Sequence, residues 1–291
     1  MKPTILVCGS EGQLGKCLRD IASQHDYIWH YTDIDTLDIT DREAVFQAFS
    51  AIKPALLVNC SAYTAVDNAE TDKDAAYKVN AYAVKNLAEA CVFFRCRFIH
   101  VSTDYVFDGE ANCPYTETDR VNPYSVYGAS KLEGEQLAAG IDNQSLIIRT
   151  SWLYSEYGKN FLKTMIRLGS EKPEVQVIYD QTGTPTYAGD LAVAILTVAD
   201  RYFHDEQWVP GIYHFSNEGV CSWYDFAVNI MKKQHLHCKV IPIVSAAFPS
   251  KVKRPAYSVL SKDKIKTTYH IPVPYWTDSL EVCLKRLGSI H

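Results

Sequence analysis

The stretch Thr4-Ile5-Leu6-Val7-Cys8-Gly9-Ser10-Glu11-Gly12-Gln13-Leu14-Gly15 decides the fold. A short apolar run reads as a strand, three spaced glycines as a turn, and the residues to about Gln24 as a helix. Gly9 permits the tight turn. Gly12 lets backbone approach a pyrophosphate at the positive end of the following helix, and Gly15 permits close helix–strand packing. Spaced glycines alone are a weak signal. At a first strand–helix turn, with an acid closing the second strand, they indicate a dinucleotide site. Tyr27 to Thr32 reads as that second strand, and Asp33 is the acid. Its carboxylate suits ribose hydroxyls and repels a 2′-phosphate; the plain alternative is a solvated loop acid. Asp38 either reaches an adenine amine or terminates its turn.

Outward from this unit, Thr40-Asp41-Arg42-Glu43 reads as a capping box opening a helix to about Ile52. Ala55–Cys60 is a third apolar run. A long helical pattern from about Asp72 to Phe94 leads to a fourth strand, Arg97–Ser102, and Ser145–Arg149 is a fifth. Strands alternating with helices predict an α/β protein, a doubly wound, Rossmann-like parallel sheet. Its near-continuous apolar strands predict helices on both faces. Beyond Arg149 the rhythm loosens. Residues 160–168, 191–203 and 224–233 read as helices, 175–179 and 211–215 as strands, with prolines clustered from Pro242 to Pro274. The expected organisation is a dinucleotide-binding domain over 1–170 and a smaller substrate lobe over 171–291, interleaved with it.

A chain of 291 residues buries a sizeable core. A net charge of −5 without a long basic run argues against nucleic acid and anionic membrane surfaces. No apolar stretch is long enough to span a bilayer, and the N-terminal run is too short for a signal peptide. Nine cysteines without a C-x-x-C, several inside apolar runs (Cys8, Cys60, Cys91), suit a reducing cytoplasm and give no metal motif.

The chemistry centres on Tyr127 and Lys131, spaced i, i+4 in Pro123-Tyr124-Ser125-Val126-Tyr127-Gly128-Ala129-Ser130-Lys131. On a helix their Cβ atoms lie roughly 5–6 Å apart. Pro123 suits the first turn and Gly140 the exit. Free tyrosine titrates near ~10, and a nearby ammonium favours the phenolate. Thr103, delivered by the fourth strand in Val101-Ser102-Thr103-Asp104, is placed to hydrogen-bond a substrate oxygen. Beside a dinucleotide turn, these residues describe hydride transfer: Tyr127 exchanges a proton at oxygen, Lys131 lowers the tyrosine pKa and holds a ribose, and Thr103 polarises a carbonyl. A half-buried tyrosine beside a snorkelling lysine is the bland reading of the pair alone.

The set resembles the extended short-chain dehydrogenase/reductase superfamily. More narrowly it is similar to the dTDP-4-dehydrorhamnose reductase family along nearly its whole length. The carrying segments are Gly9-x-x-Gly12-Gln13-Leu14-Gly15, Val58 to Glu70, Ser102-Thr103-Asp104-Tyr105-Val106-Phe107-Asp108-Gly109, Tyr127-Gly128-x-x-Lys131, Arg149-Thr150-Ser151-Trp152-Leu153-Tyr154, Asp180-Gln181-x-Gly183-x-Pro185-Thr186 and Arg254-Pro255. The resemblance implies NADH- or NADPH-dependent reduction of the 4-keto group of a dTDP-6-deoxy-hexulose. It implies nucleotide contacts at Gly12, Gln13, Leu14, Asp33, Asp38, Ile39, Ala62, Tyr63, Thr64 and Val101. It implies sugar-nucleotide contacts at Thr103, Asp104 and Trp152. Asn160 is a candidate amide donor to the sugar nucleotide, Arg254 a candidate clamp on its diphosphate, and Asn80 either a relay member or an ordinary helix residue. Some members of the family are dimers bridged by magnesium. The matching positions here, Cys17 and Gly189, are not hard-cation ligands, so no metal is expected and a homodimer is left open. Two rival functions share the scaffold: a sugar-nucleotide epimerase, and a non-catalytic regulatory subunit like the β subunit of methionine adenosyltransferase.

Overall fold

The computed structural model describes residues 2–248 and 252–290. The first half runs β1 (Thr4–Cys8), α1 (Gln13–Ile21), β2 (Ile28–Thr32), α2 (Arg42–Ile52), β3 (Leu56–Asn59), short α3 (Val66–Ala69), α4 (Lys73–Tyr77), a single π turn over Lys78–Tyr82, α5 (Ala83–Phe94), β4 (Arg97–Thr103), α6 (Val126–Ile141) and β5 (Leu146–Thr150). The second half contains β6 (Leu153–Tyr154), α7 (Phe161–Glu171), β7 (Glu174–Ile178), β8 (Thr182–Gly183), β9 (Thr186–Tyr187), α8 (Ala188–Asp205), β10 (Gly211–His214), β11 (Cys221–Ser222), α9 (Trp223–Lys233), β12 (Lys239–Ile243), α10 (Asp263–Tyr269) and α11 (Trp276–Ile290).

The central sheet has the order β10-β5-β4-β3-β1-β2, every pair parallel. Alternate side chains enter opposite cores. Ile5, Val7, Val58, Ile99 and Ile148 meet Leu14 and Leu18 of α1 and Leu191 and Ile195 of α8. Leu6, Leu57, Phe98 and Ile147 meet Val45 and Phe49 of α2, Val84 and Leu87 of α5 and Ala138 of α6. Each of these large side chains, fully buried, contributes about 1.5–3 kcal/mol. A third core unites α7, α9 and α11 through Leu162, Met165, Phe226, Ile230 and Leu280. The strand β10 comes from the looser second half, yet it extends the first sheet beside β5. The chain therefore returns to its first layer after leaving it.

Several expected element ends shift. The cap of α2 is Asp41, whose carboxylate accepts from the Glu43 and Ala44 N–H groups, and not Thr40. The cap of α6 is Ser125, whose hydroxyl accepts from the Gly128 N–H, so Pro123 stands before the helix. Gly140 does not end that helix, which runs on to Ile141. The long pattern over 72–94 is interrupted by the π turn. Helix α6 packs backbone to backbone: a Cβ on Gly134 would sit 2.1 Å from the Asn80 carbonyl oxygen. That close seat sets the depth at which Tyr127 and Lys131 meet the sheet.

Candidate active site

The carboxyl ends of the parallel strands border a cavity of about 1040 Å³. Of the residues named from the sequence as catalytic, cofactor or substrate contacts, all line it except Gly15, which lies under the turn; Asn80 is not among the lining residues. At one end Gly9 takes φ +75°, and a Cβ there would come within 2.6 Å of the Ser61 nitrogen. A Cβ on Gly15 would lie 2.5 Å from the Gly9 carbonyl oxygen. Gly12 caps α1 without a side chain, which leaves first-turn N–H groups for an anion. Asp33 Oδ2 accepts the Glu11 N–H at 2.8 Å and Oδ1 the Ile34 N–H at 2.8 Å, so the carboxylate is pinned over the turn. Asp38 terminates its own turn: Oδ1 accepts from the Thr40 hydroxyl at 2.7 Å and N–H at 2.9 Å. These bonds hold its carboxyl below the usual range. Two cations stand near this turn. Lys16 and Arg19 of α1 reach back to Glu11 at 3.4 and 2.9 Å, because the helix folds positions five and eight residues onward over the turn.

Beyond β3, Ala62, Tyr63 and Thr64 form the middle wall. Asn80, inside the π turn, clasps both backbone polar groups of Tyr63: its Oδ1 accepts the N–H at 2.8 Å and its Nδ2 donates to the carbonyl at 3.1 Å. The same Nδ2 donates to Ser130 on α6 at 3.0 Å. With its amide fully engaged, Asn80 holds the wall to α6 instead of relaying protons.

At the chemical end the Tyr127 ring stands edge-on to Tyr105, centroids 5.5 Å apart. Burial pushes the Tyr127 phenol up to about 12, against the opposing Thr103 hydroxyl. Lys131 does not lower it here: Nζ donates to the Val101 carbonyl at 2.7 Å and lies 3.3 Å from His100 Nε2. Desolvation pulls that amine down to about 8. The Thr103 hydroxyl donates to Asp104 Oδ1 at 3.0 Å, so it must leave that partner to donate to a ligand. Burial lifts Asp104 to about 6, with the Ser258 and Thr103 hydroxyls opposing.

The far end is aromatic. The Trp152 indole stacks on Trp223 with centroids 3.6 Å apart and an interplanar angle of 12°. Trp152 has φ 48°, a left-handed conformation costing about 1–2 kcal/mol. It is held by that stack and by its carbonyl accepting the Thr186 N–H at 3.2 Å. Trp223, absent from the sequence reading, carries no spacing signal; it opens α9 directly after the Ser222 cap. Arg254 Nη2 pairs with Asp67 at 3.2 Å while its buried Nε has no partner among the described residues, which suits a further acceptor such as a phosphate oxygen. Asn160 differs from expectation. It caps α7, and its amide nitrogen is engaged by Gln13 Oε1 at 2.8 Å and the Ser155 carbonyl at 2.7 Å. It shapes the cavity and has no free donor.

A parallel doubly wound sheet with an uncapped glycine turn at one end of a cleft and a Tyr-x-x-x-Lys helix at the other defines an extended short-chain dehydrogenase/reductase. Residues 1–289 match the RmlD substrate binding domain, and the chain belongs to that family. The dTDP-4-dehydrorhamnose reductase of Aggregatibacter actinomycetemcomitans is 40% identical over 284 residues, 95% of this chain and 97% of that protein. A crystal structure of dTDP-4-dehydrorhamnose reductase from Clostridium acetobutylicum is 42% identical, with TM-score 0.93 over 98% of this chain and 99% of that one. The Bacillus anthracis reductase, solved in complex with NADP, is 38% identical, with TM-score 0.94 over 98% of this chain and all of that one.

Proposed function

We infer that the chain is an NAD(P)H-dependent oxidoreductase that reduces the 4-keto group of dTDP-4-dehydro-L-rhamnose to dTDP-L-rhamnose. The observation that carries this reading is one cavity lined together by the glycine turn and Asp33, by Tyr127, Thr103 and Lys131, and by Trp152, Trp223 and Arg254. The names carried by relatives of near-equal length support it. Residues 1–170 are assigned mainly to the dinucleotide and 171–291 mainly to the sugar nucleotide. The uncapped start of α1 and the backbone-close turn fit a dinucleotide; Gly12, Gln13 and Leu14 would hold its pyrophosphate, and Asp33 its ribose. When bound, the reduced nicotinamide supplies hydride to carbon. Tyr127 gives the proton to oxygen, Thr103 orients the carbonyl, and Trp152 offers a flat face to sugar or base. Arg254 receives the diphosphate.

A cytoplasmic location suits nine free cysteines, none paired. No helix among the described residues is long and apolar enough to cross a membrane. The direct test is an assay coupled to the dehydratase that produces the 4-keto sugar nucleotide. NAD(P)H absorbance is expected to fall only when that substrate is made; no fall with either dinucleotide overturns the assignment.

NADH is expected to serve at least as well as NADPH. Asp33, held over the turn by the Glu11 N–H, would repel a 2′-phosphate, and Lys16 and Arg19 are paired with Glu11. Steady-state kcat/KM for both dinucleotides checks this. A preference for NADPH above tenfold would show those two cations turning from Glu11 to the phosphate.

Activity and assembly are expected to be unchanged by EDTA. Cys17 is buried in α1 and Gly189 packs on the Tyr187 ring, so neither suspected position offers oxygen to a hard cation. Gel filtration and turnover with and without chelator test it; dissociation of an oligomer on chelation would place a metal elsewhere in the interface.

A further inference from the structure

Behind Lys131 lies a histidine to which the reduction assigns no part. His100 on β4 is wholly buried, beside Asn59 of β3 and under Lys131 of α6. Its hydrogen placement follows from its partners. Asn59 Oδ1 accepts the Ser61 N–H at 3.0 Å, which turns the amide nitrogen to His100 Nδ1 at 3.2 Å. An amide nitrogen only donates, so Nδ1 accepts and carries no proton. The proton of the neutral ring is therefore on Nε2, which faces Lys131 Nζ at 3.3 Å. The other partner of Nζ, the Val101 carbonyl at 2.7 Å, only accepts. An ammonium has three hydrogens and no lone pair; against Nε2–H it sets donor against donor. An uncharged amine satisfies both neighbours, accepting Nε2–H and donating to Val101.

We propose that His100, fixed as its Nε2–H tautomer by Asn59, is a positioning residue that docks Lys131 in its uncharged form, turned from Tyr127 toward the sheet. This deepens the reductase reading, since it concerns the lysine of that same site. A ribose hydroxyl offers a lone pair to an ammonium, so drawing Lys131 out of this dock couples dinucleotide binding to uptake of a proton. The charged and titratable neighbours are few. On α6, Glu135, clamped by Arg149 of β5, favours the charged amine. So does the Cys60 thiol at the end of β3, itself driven far up by burial. Burial and Lys131 together hold His100 well below its usual range, so the ring stays neutral.

The test uses the full chain without added dinucleotide, with His100→Leu and His100→Gln beside the parent. Long-range ¹H–¹⁵N correlation of the histidine rings, assigned by the signals lost in His100→Leu, is expected to show a bare Nδ1 and a protonated Nε2. A protonated Nδ1 overturns the proposal. The Lys131 side-chain ¹³Cε titration is expected to have its midpoint near 8 in the parent. It should rise by about one pH unit in His100→Leu, the worth of one hydrogen bond to the neutral form. It should return in His100→Gln, whose amide nitrogen restores the donor. A midpoint that stays or falls in His100→Leu means that His100 is structural packing only. If His100→Leu does not fold, the signals can be assigned from His100→Gln and the parent tautomer decides. None of these readouts needs turnover, so they stand apart from failure of the reductase assay.

Discussion

Tyr127→Phe is expected to keep its fold and its dinucleotide affinity while losing about 10²- to 10⁴-fold in turnover, the typical contribution of a positioned acid. That loss corresponds to roughly 3–5 kcal/mol of barrier. The ring is retained, so its edge-on contact with Tyr105 remains, and only the proton donor is removed. With its phenol pushed up to about 12, Tyr127 is protonated throughout the neutral range, the form that reduction needs. Such a phenol is a reluctant donor on its own. Its acidity in the transition state must come from an ammonium brought near, and in this structure Lys131 is turned toward Val101 and His100. Single-turnover hydride transfer with the 4-keto sugar nucleotide measures the effect. Retention of more than about a tenth of the parent rate would remove Tyr127 as the acid, since general acid catalysis predicts at least a ~10²-fold loss. A regulatory subunit without catalysis would instead give a parent protein that turns nothing over.

The cofactor end was legible because its signals are local. A strand, a glycine turn and an acid at the next strand's end fall within the first 33 residues, and each reads through its nearest neighbours. The Tyr-x-x-x-Lys spacing is likewise a property of one helix. Element ends were less legible where two capping residues compete: Ser125 and Asp41 win over Pro123 and Thr40 because their side-chain oxygens meet helix N–H groups. Gly140 is not the exit, since the helix runs one residue further, to Ile141. What sequence could not supply is pairing at a distance. Pairing of β7 with β12 joins segments some sixty residues apart, and β10 returns to the first sheet. The Trp152–Trp223 stack and the Asn59–His100–Lys131 line are also contacts between distant elements, with no periodicity that announces them. The partners of Asn160, Gln13 and Ser155, were out of reach for the same reason, since they meet it only once the chain is folded.

Arg149→Met is expected to destabilise the protein by about 3–5 kcal/mol, the usual result of stranding one member of a buried ion pair. Arg149 on β5 and Glu135 on α6 are only 2% and 3% exposed. They are joined by Nη2 to Oε2 at 2.7 Å and Nε to Oε1 at 3.0 Å, while the guanidinium lies 5.0 Å from the Phe107 ring centre. Methionine fills much of the arginine stem's volume, so the penalty comes from the uncompensated carboxylate and much less from a cavity. Glu135→Leu/Arg149→Met should recover most of the loss, since replacing both partners with apolar groups is often neutral or stabilising. Urea unfolding of parent, single and double variants measures the cycle. A loss below about 1 kcal/mol in Arg149→Met, the range of an exposed pair, would mean that water reaches the pair in solution. The double variant carries a functional corollary. Glu135 favours the charged form of Lys131, so its removal should move the Lys131 titration to lower pH even where stability is restored, and the pair would then be seen to tune the site as well as to join α6 to the sheet.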